Sequence, residues 1–267
     1  MDLLKKKAAL TDAVFRLNMV RAVAQTGDID ETPLPGKGDF DLFVFCDEIP
    51  AENERRAAYD TCPEAFSECR MTVCEGGHWG TEDALVVEGV DTFFMYFTVE
   101  GMRGYISDVL DGKYPDSENG FYPTGRLATI DTINVLAEKG DTMEPLKALV
   151  REYPEALSKA LFDYHYERIV DEEDFGRAVS RRDVLFYHMV LENSIDHFLQ
   201  ALYAMNKTYF PSRKRTEQYM AAFSRIPADC YARMIRVVED GSCSESMQRS
   251  YDAWLTLVDE LGAAADR

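Results

Sequence analysis

Two aspartates one residue apart, Asp39 and Asp41, open the apolar run DFDLFVFC after a loop rich in Gly and Pro. Every second side chain of a strand points to the same face, so both carboxylates point one way. Two anions that close repel each other unless a cation or a proton lies between them. The pattern suits a divalent metal, because Mg²⁺ takes hard oxygen ligands and completes its shell with water and phosphate. The two residues alone are also compatible with charges that solvate the end of a strand. Lys37, two positions earlier, reads either as a cation for phosphate or as a solvated loop side chain.

The elements that would hold these residues are legible in outline. Residues 1–18 read as an amphipathic helix and 19–25 as a first strand, followed by a Gly/Pro/Asp loop over 27–38 and the strand DLFVFC over 41–46. The stretch 49–66, with Pro50 near its start and acids in its first turn, predicts a helix. RMTVC (70–74) is β-prone, 84–97 reads as two strands joined around Glu88-Gly89, and 99–112 returns to helix. From about residue 124 the strand signal disappears. In 183–206 apolar positions 184, 188, 191, 195, 198, 202 and 205 advance by fours and threes, the stripe of a long buried helix face. Leu191, Ile195, Phe198 and Leu202 are its expected core residues. The turn-rich YPDSENGFYPTG (114–125) marks the expected boundary between a mixed α/β part and an all-helical part.

Composition narrows the function. The 267 residues carry 29 basic and 48 acidic side chains, a net charge of −19, which repels nucleic acid and favours small-molecule substrates. No apolar run approaches the length of a membrane span, and the N-terminus lacks a leader pattern, so the expected compartment is the cytoplasm. The six cysteines form no CxxC pair and read as reduced thiols. Cys62, Cys69, Cys74 and His78 match no common zinc-knuckle spacing.

Gly27 lies twelve residues before Asp39 and fourteen before Asp41. This resembles the signature of the nucleotidyltransferase superfamily, in which a Gly-Ser turn precedes a D-x-D pair. The similarity extends over nearly the whole chain, through DFDLFVFCDEIPAENERR, REYPEALSKAL (151–161), RRDVLFYH (181–188) and LYAMNKTYFPSRKR (202–215). These stretches resemble an uncharacterised bacterial branch related to the lincosamide- and aminoglycoside-type enzymes. The resemblance implies an α+β fold, with a nucleotidyltransferase-like mixed sheet and flanking helices over 1–122 and a helical-bundle domain over 123–267. It implies Mg²⁺ or Mn²⁺ held by Asp39 and Asp41, an NTP held around Gly27, Lys37, Gly38 and Arg126, and NMP transfer to a small-molecule hydroxyl. Arg126 also reads as a structural arginine. Two positions depart from the pattern. Asp28 stands where the serine would be, and the family spacing beyond Gly89 falls on Phe93. The acid available on that strand is Asp91, on the same face but one pleat away, about 6.6 Å. The departures leave a second reading open, a nucleotide- or protein-binding module without catalysis.

Two further signals lie downstream. Arg182 and His188 resemble in their spacing the Arg…His motif of HEPN ribonucleases, although His188 falls on the apolar stripe, where a buried, hydrogen-bonded histidine is the ordinary outcome. The basic run Lys207, Arg213, Lys214 and Arg215 reads as a nucleotide contact or as a charged turn between helices.

Overall fold

The computed structural model describes residues 2–77, 80–116 and 121–265. The fold is α+β, with six strands in one mixed sheet and eleven α-helices among the described residues. The chain forms two compact units, one from Met1–Asp108 with Thr129–Glu152 and the other from Val109–Ala128 with Tyr153–Arg267. No helix of the described residues is long and apolar enough to cross a membrane. His78, named above among possible ligands, lies outside the described residues.

The first unit is built on the sheet. Helix α1 (Leu3–Phe15) starts at Asp2, whose carboxylate accepts the Lys5 N–H at 2.9 Å and satisfies an otherwise orphaned donor. The strands are β1 (Val20–Gln25), β2 (Asp39–Cys46), β3 (Glu68–Cys74), β4 (Thr81–Val87), β5 (Val90–Thr98) and β6 (Asn134–Glu138), in the order β3-β4-β5-β2-β1-β6. Only β2 and β5 run parallel. Parallel neighbours need a crossover, here supplied by α2 (Glu52–Tyr59), β3 and β4. In the β4–β5 hairpin Glu88 (φ 51°) and Gly89 (φ 79°) are both left-handed, as the turn that matches strand twist requires. Central β2 is buried at Phe40 and from Leu42 to Cys46, which is why its sequence is continuously apolar. Leu10, Val14, Leu42, Val44, Phe94 and Tyr96 share one core cluster of this unit.

Inside the same unit lies a buried ion pair. Arg55 of α2 is 3% exposed and Asp83 of β4 is 0% exposed. Arg55 donates to both Asp83 oxygens, at 2.8 and 3.0 Å, and to the Pro50 carbonyl at 2.8 Å. Asp83 also accepts from the Tyr59 hydroxyl at 3.0 Å and the Thr72 N–H at 2.9 Å.

The second unit is helical. Its principal elements are α6 (Glu155–Tyr166), α7 (Glu172–Arg181), α8 (Val184–Met205), α10 (Cys230–Gly241) and α11 (Met247–Ala265). Asp171 and Asp183 cap α7 and α8 by accepting the N–H groups of Asp174 (2.9 Å) and Phe186 (3.1 Å). Helix α8 packs against all four of the others. Its residues from Asp196 to Met205 are all buried, so this part of the helix has no solvent face.

Three expectations are corrected. Residues beyond 130 do contain a strand: β6 pairs antiparallel with β1. It is a five-residue edge strand, largely exposed, too short and too polar to show an alternating pattern. Ile195 is only half-buried, while Leu191, Phe198 and Leu202 are at most 1% exposed. The helix expected over 49–66 stops at Tyr59 and resumes as a single 3-10 turn, Pro63–Ala65. Pro63 disfavours helical backbone at Cys62, which leaves the helical region at φ −135°, ψ 61°.

Burial also sets thiol chemistry. Cys46 and Cys230 have their thiols pushed up to about 12 by desolvation, whereas Cys243 is exposed. The thiolate is the nucleophile. Brief alkylation of the native protein should therefore label Cys243 and leave Cys46 and Cys230 unmodified until the chain is unfolded, as peptide mass spectrometry would show. Labelling of Cys46 ahead of Cys243 would contradict this burial.

Candidate functional site

The acidic residues of the first unit meet at one end of the parallel β2–β5 pair. Asp39 is the register partner of Asp91, and Asp41 of Phe93. Registered neighbours in a parallel pair point to the same face of the sheet and lie about 4.8 Å apart. The face therefore presents Asp39 and Asp91 side by side, with Asp41 and Phe93 one pleat further in. Asp39 and Asp91 are exposed and Asp41 is half-buried. The displacement of Asp91 by one pleat, expected from the spacing, is present without a bulge, because the β2–β5 register is continuous. The three carboxylates do not converge on a point; among the described residues the triad of metal-type donors that does converge lies elsewhere.

The loop after β1 borders this end of the sheet. Thr26 donates its N–H to the Asp41 carbonyl at 3.2 Å and its hydroxyl to Asp41 Oδ2 at 3.5 Å. Gly27 is left-handed at φ 74°, and nothing lies within 4 Å of a Cβ built there, so the turn demands its conformation and not its small size. Asn134 of β6 donates to the Gly27 carbonyl at 2.7 Å. The Asp28 carboxylate accepts the Asp30 N–H at 2.9 Å, a local turn. Beneath, Lys7 of α1 is 6% exposed and donates to Gln25 Oε1 at 2.7 Å and the Ile29 carbonyl at 3.1 Å. Burial lowers the Lys7 ammonium, and the Asp30 charge partly restores it.

Of the other expected site residues, Lys37 is exposed in a turn closed by its N–H on the Leu34 carbonyl at 2.9 Å. A Cβ at Gly38 would lie 3.2 Å from Pro33 Cβ, a tight contact that Pro33 would have to relieve by a few tenths of an ångström. Arg126 belongs to the second unit, is 5% exposed, and lies over the Phe121 ring at 5.3 Å. Thr26, Lys7 and Asn134 escaped the sequence reading. Thr26 adjoins Gly27 and was within reach of it; Lys7 and Asn134 are distant in sequence and carried no signal.

In the second unit, His188 is half-buried and not buried as its place on the stripe predicts, and it bonds Ser242 Oγ at 3.2 Å. Arg182 is exposed and left-handed at φ 54° between α7 and α8. Two members of the basic run are ion-paired within the unit: Lys207 with Glu155 at 2.7 Å, and Arg213 with Asp196 at 2.7 Å and Glu192 at 3.2 Å.

Residues 121–216 match the family described as a domain of unknown function (DUF4037). The chain matches no curated protein. Among solved structures it is similar to a nucleotidyltransferase-like protein from Exiguobacterium sibiricum 255-15, with 11% identity and a TM-score of 0.49, over 98% of this chain and 75% of that one.

Proposed function

We propose that the protein is a metal-dependent nucleotidyltransferase that moves an NMP group from an NTP to a hydroxyl of a small molecule. One observation carries the reading: Asp39 and Asp91 are register partners on parallel strands, with Asp41 two residues along the same face. Asp39 and Asp41, two residues apart on one strand face, supply oxygen donors, which fit Mg²⁺ or Mn²⁺ and not a soft metal. Asp39 and Asp41 hold the ion. When bound there, it neutralises triphosphate charge as phosphoryl transfer proceeds. Thr26 orients the Asp41 carboxylate through the hydroxyl contact at 3.5 Å. Gly27 is exposed and left-handed, a turn conformation whose backbone N–H groups can receive phosphate oxygens. Lys37 adds a cation from the neighbouring loop. Asp91, beside Asp39, takes the proton of the acceptor hydroxyl as general base.

A second reading, a binding module without catalysis, is favoured by Phe93 opposite Asp41 and by Asp28 in the phosphate turn. Thermal unfolding with and without Mg²⁺ and NTP tests both. A ligand that binds only the folded state, present at 100 times its Kd, adds about 2.7 kcal/mol. Mg²⁺-NTP should raise the melting temperature of the wild type and not that of Asp39→Asn/Asp41→Asn, whose ligand-free stability should equal or slightly exceed wild type. Pyrophosphate release with an acceptor supports the transferase. Binding without release in the wild type, with tighter NTP binding in Asp28→Ser, supports the module. No Mg²⁺ effect in wild type, with identical melting of the double variant, would sink the metal-site reading altogether.

A further inference from the structure

The helical unit holds a second donor cluster that the sheet-end chemistry does not use. Helix α6 carries His165 and α8 carries His197, 1% and 7% exposed. Their Nδ1 atoms face each other at 2.9 Å, with ring centroids 5.2 Å apart and planes at 42°. Asp116, from the segment after α3 (Val99–Leu110), brings a carboxylate to the pair, and one ligand atom from each of the three lies within 4.8 Å of the others. The Asp116 carboxylate accepts the Tyr164 hydroxyl at 3.2 Å.

A plain histidine–histidine hydrogen bond accounts for the 2.9 Å approach but not for the third donor. Desolvation, and then the neighbouring His197, bring His165 down to about 4, and burial likewise lowers His197. What carries the site is geometry: two ring nitrogens and a carboxylate oxygen approach one another from three separate segments. Asp196 is not a fourth candidate, since it is engaged by Arg213 at 2.7 Å, the Tyr122 hydroxyl at 2.5 Å and Gln200 at 3.1 Å. The opposing charge is Arg168, whose guanidinium lies 3.8 Å over the Tyr164 ring and acts on His197.

We propose that His165, His197 and Asp116 bind one divalent transition-metal ion of the zinc class, distinct from any ion at the sheet end. Two imidazoles and a carboxylate suit borderline ions such as Zn²⁺ and Co²⁺ and leave a fourth position for water. With Zn–N bonds of about 2.0–2.1 Å, two ligating nitrogens at a tetrahedral angle stand roughly 3.3 Å apart. The observed 2.9 Å needs only a small opening. The Tyr164 hydroxyl holds the Asp116 carboxylate from behind at 3.2 Å, the role outer-shell partners play at metal centres. Such an ion ties α6, α8 and the segment after α3 together within the helical unit.

The test strips the full-length protein with a chelator and titrates it with Zn²⁺ against a chromophoric competitor, and with Co²⁺ by visible absorption. One equivalent of zinc, a four-coordinate cobalt spectrum and a zinc-dependent rise in melting temperature are expected, and Mg²⁺ should neither displace the zinc nor alter the cobalt spectrum. Asp116→Asn keeps shape at a partly exposed position and should weaken Zn²⁺ by about tenfold or more. His197→Gln should abolish the equivalent. Asp39→Asn/Asp41→Asn should keep it. Zinc binding no tighter than background in wild type, binding unchanged in a folded Asp116→Asn, or an equivalent lost in the sheet-end double variant would each overturn the proposal.

Discussion

Asp83→Asn should lower the unfolding free energy by about 3–5 kcal/mol, the cost of leaving one partner of a buried ion pair unpaired. The side chains of Arg55 and Asp83 are 4% and 0% exposed. Asparagine keeps the shape of aspartate and can still accept one hydrogen bond. It cannot meet the bidentate Arg55 fork, which contacts both oxygens at 2.8 and 3.0 Å, while also accepting from Tyr59 and Thr72. The guanidinium then stays charged and uncompensated between α2 and β4. Asp39→Asn is the contrasting control: it removes a carboxylate from an exposed strand end and should change metal-free stability by no more than about 0.5 kcal/mol. Urea unfolding followed by circular dichroism measures both. A loss below about 1 kcal/mol for Asp83→Asn would mean that Arg55 finds water or another acceptor.

In the helical unit, Phe198→Ala should cost about 3–5 kcal/mol, the range for removing a fully buried aromatic ring. Phe198 is 0% exposed and meets the Trp254 ring at a centroid distance of 5.0 Å. Trp254 is in turn fixed by its Nε1–H on Ser194 Oγ at 2.7 Å, so the surroundings cannot easily collapse into the space. Ile195 lies on the same stripe but is half-buried. Ile195→Asp should therefore cost less than Phe198→Asp, because its carboxylate can turn toward water and the other cannot. Equal losses for the two aspartate variants would show that Ile195 is enclosed in solution.

The sequence by itself determined the elements whose cause is local. The helix read over 183–206 starts at Asp183 because a short acidic side chain can reach the N–H groups that follow. Glu88-Gly89 announces the hairpin because the turn needs two left-handed residues. The unbroken apolar run of β2 announces a central strand, because a strand covered on both faces excludes water everywhere. Asp39 and Asp41 were visible as a pair for the same reason, since their spacing alone puts them on one face.

The tertiary structure decided what depends on partners far along the chain. That Asp91 stands beside Asp39, and Phe93 beside Asp41, follows from the β2–β5 register, which the residues of either strand do not encode alone. Strand β6 exists because β1 offers it an unpaired edge, not because NVLAE alternates. Asp83 and Arg55 are 28 residues apart, and nothing local marks an aspartate in a strand as the counterion of a buried helix arginine. His165 and His197 are separated by 32 residues, each on its own helix. Sequence registers only that a histidine lies in an apolar stretch; the packing of α6 on α8 turns two such residues and Asp116 into one donor set.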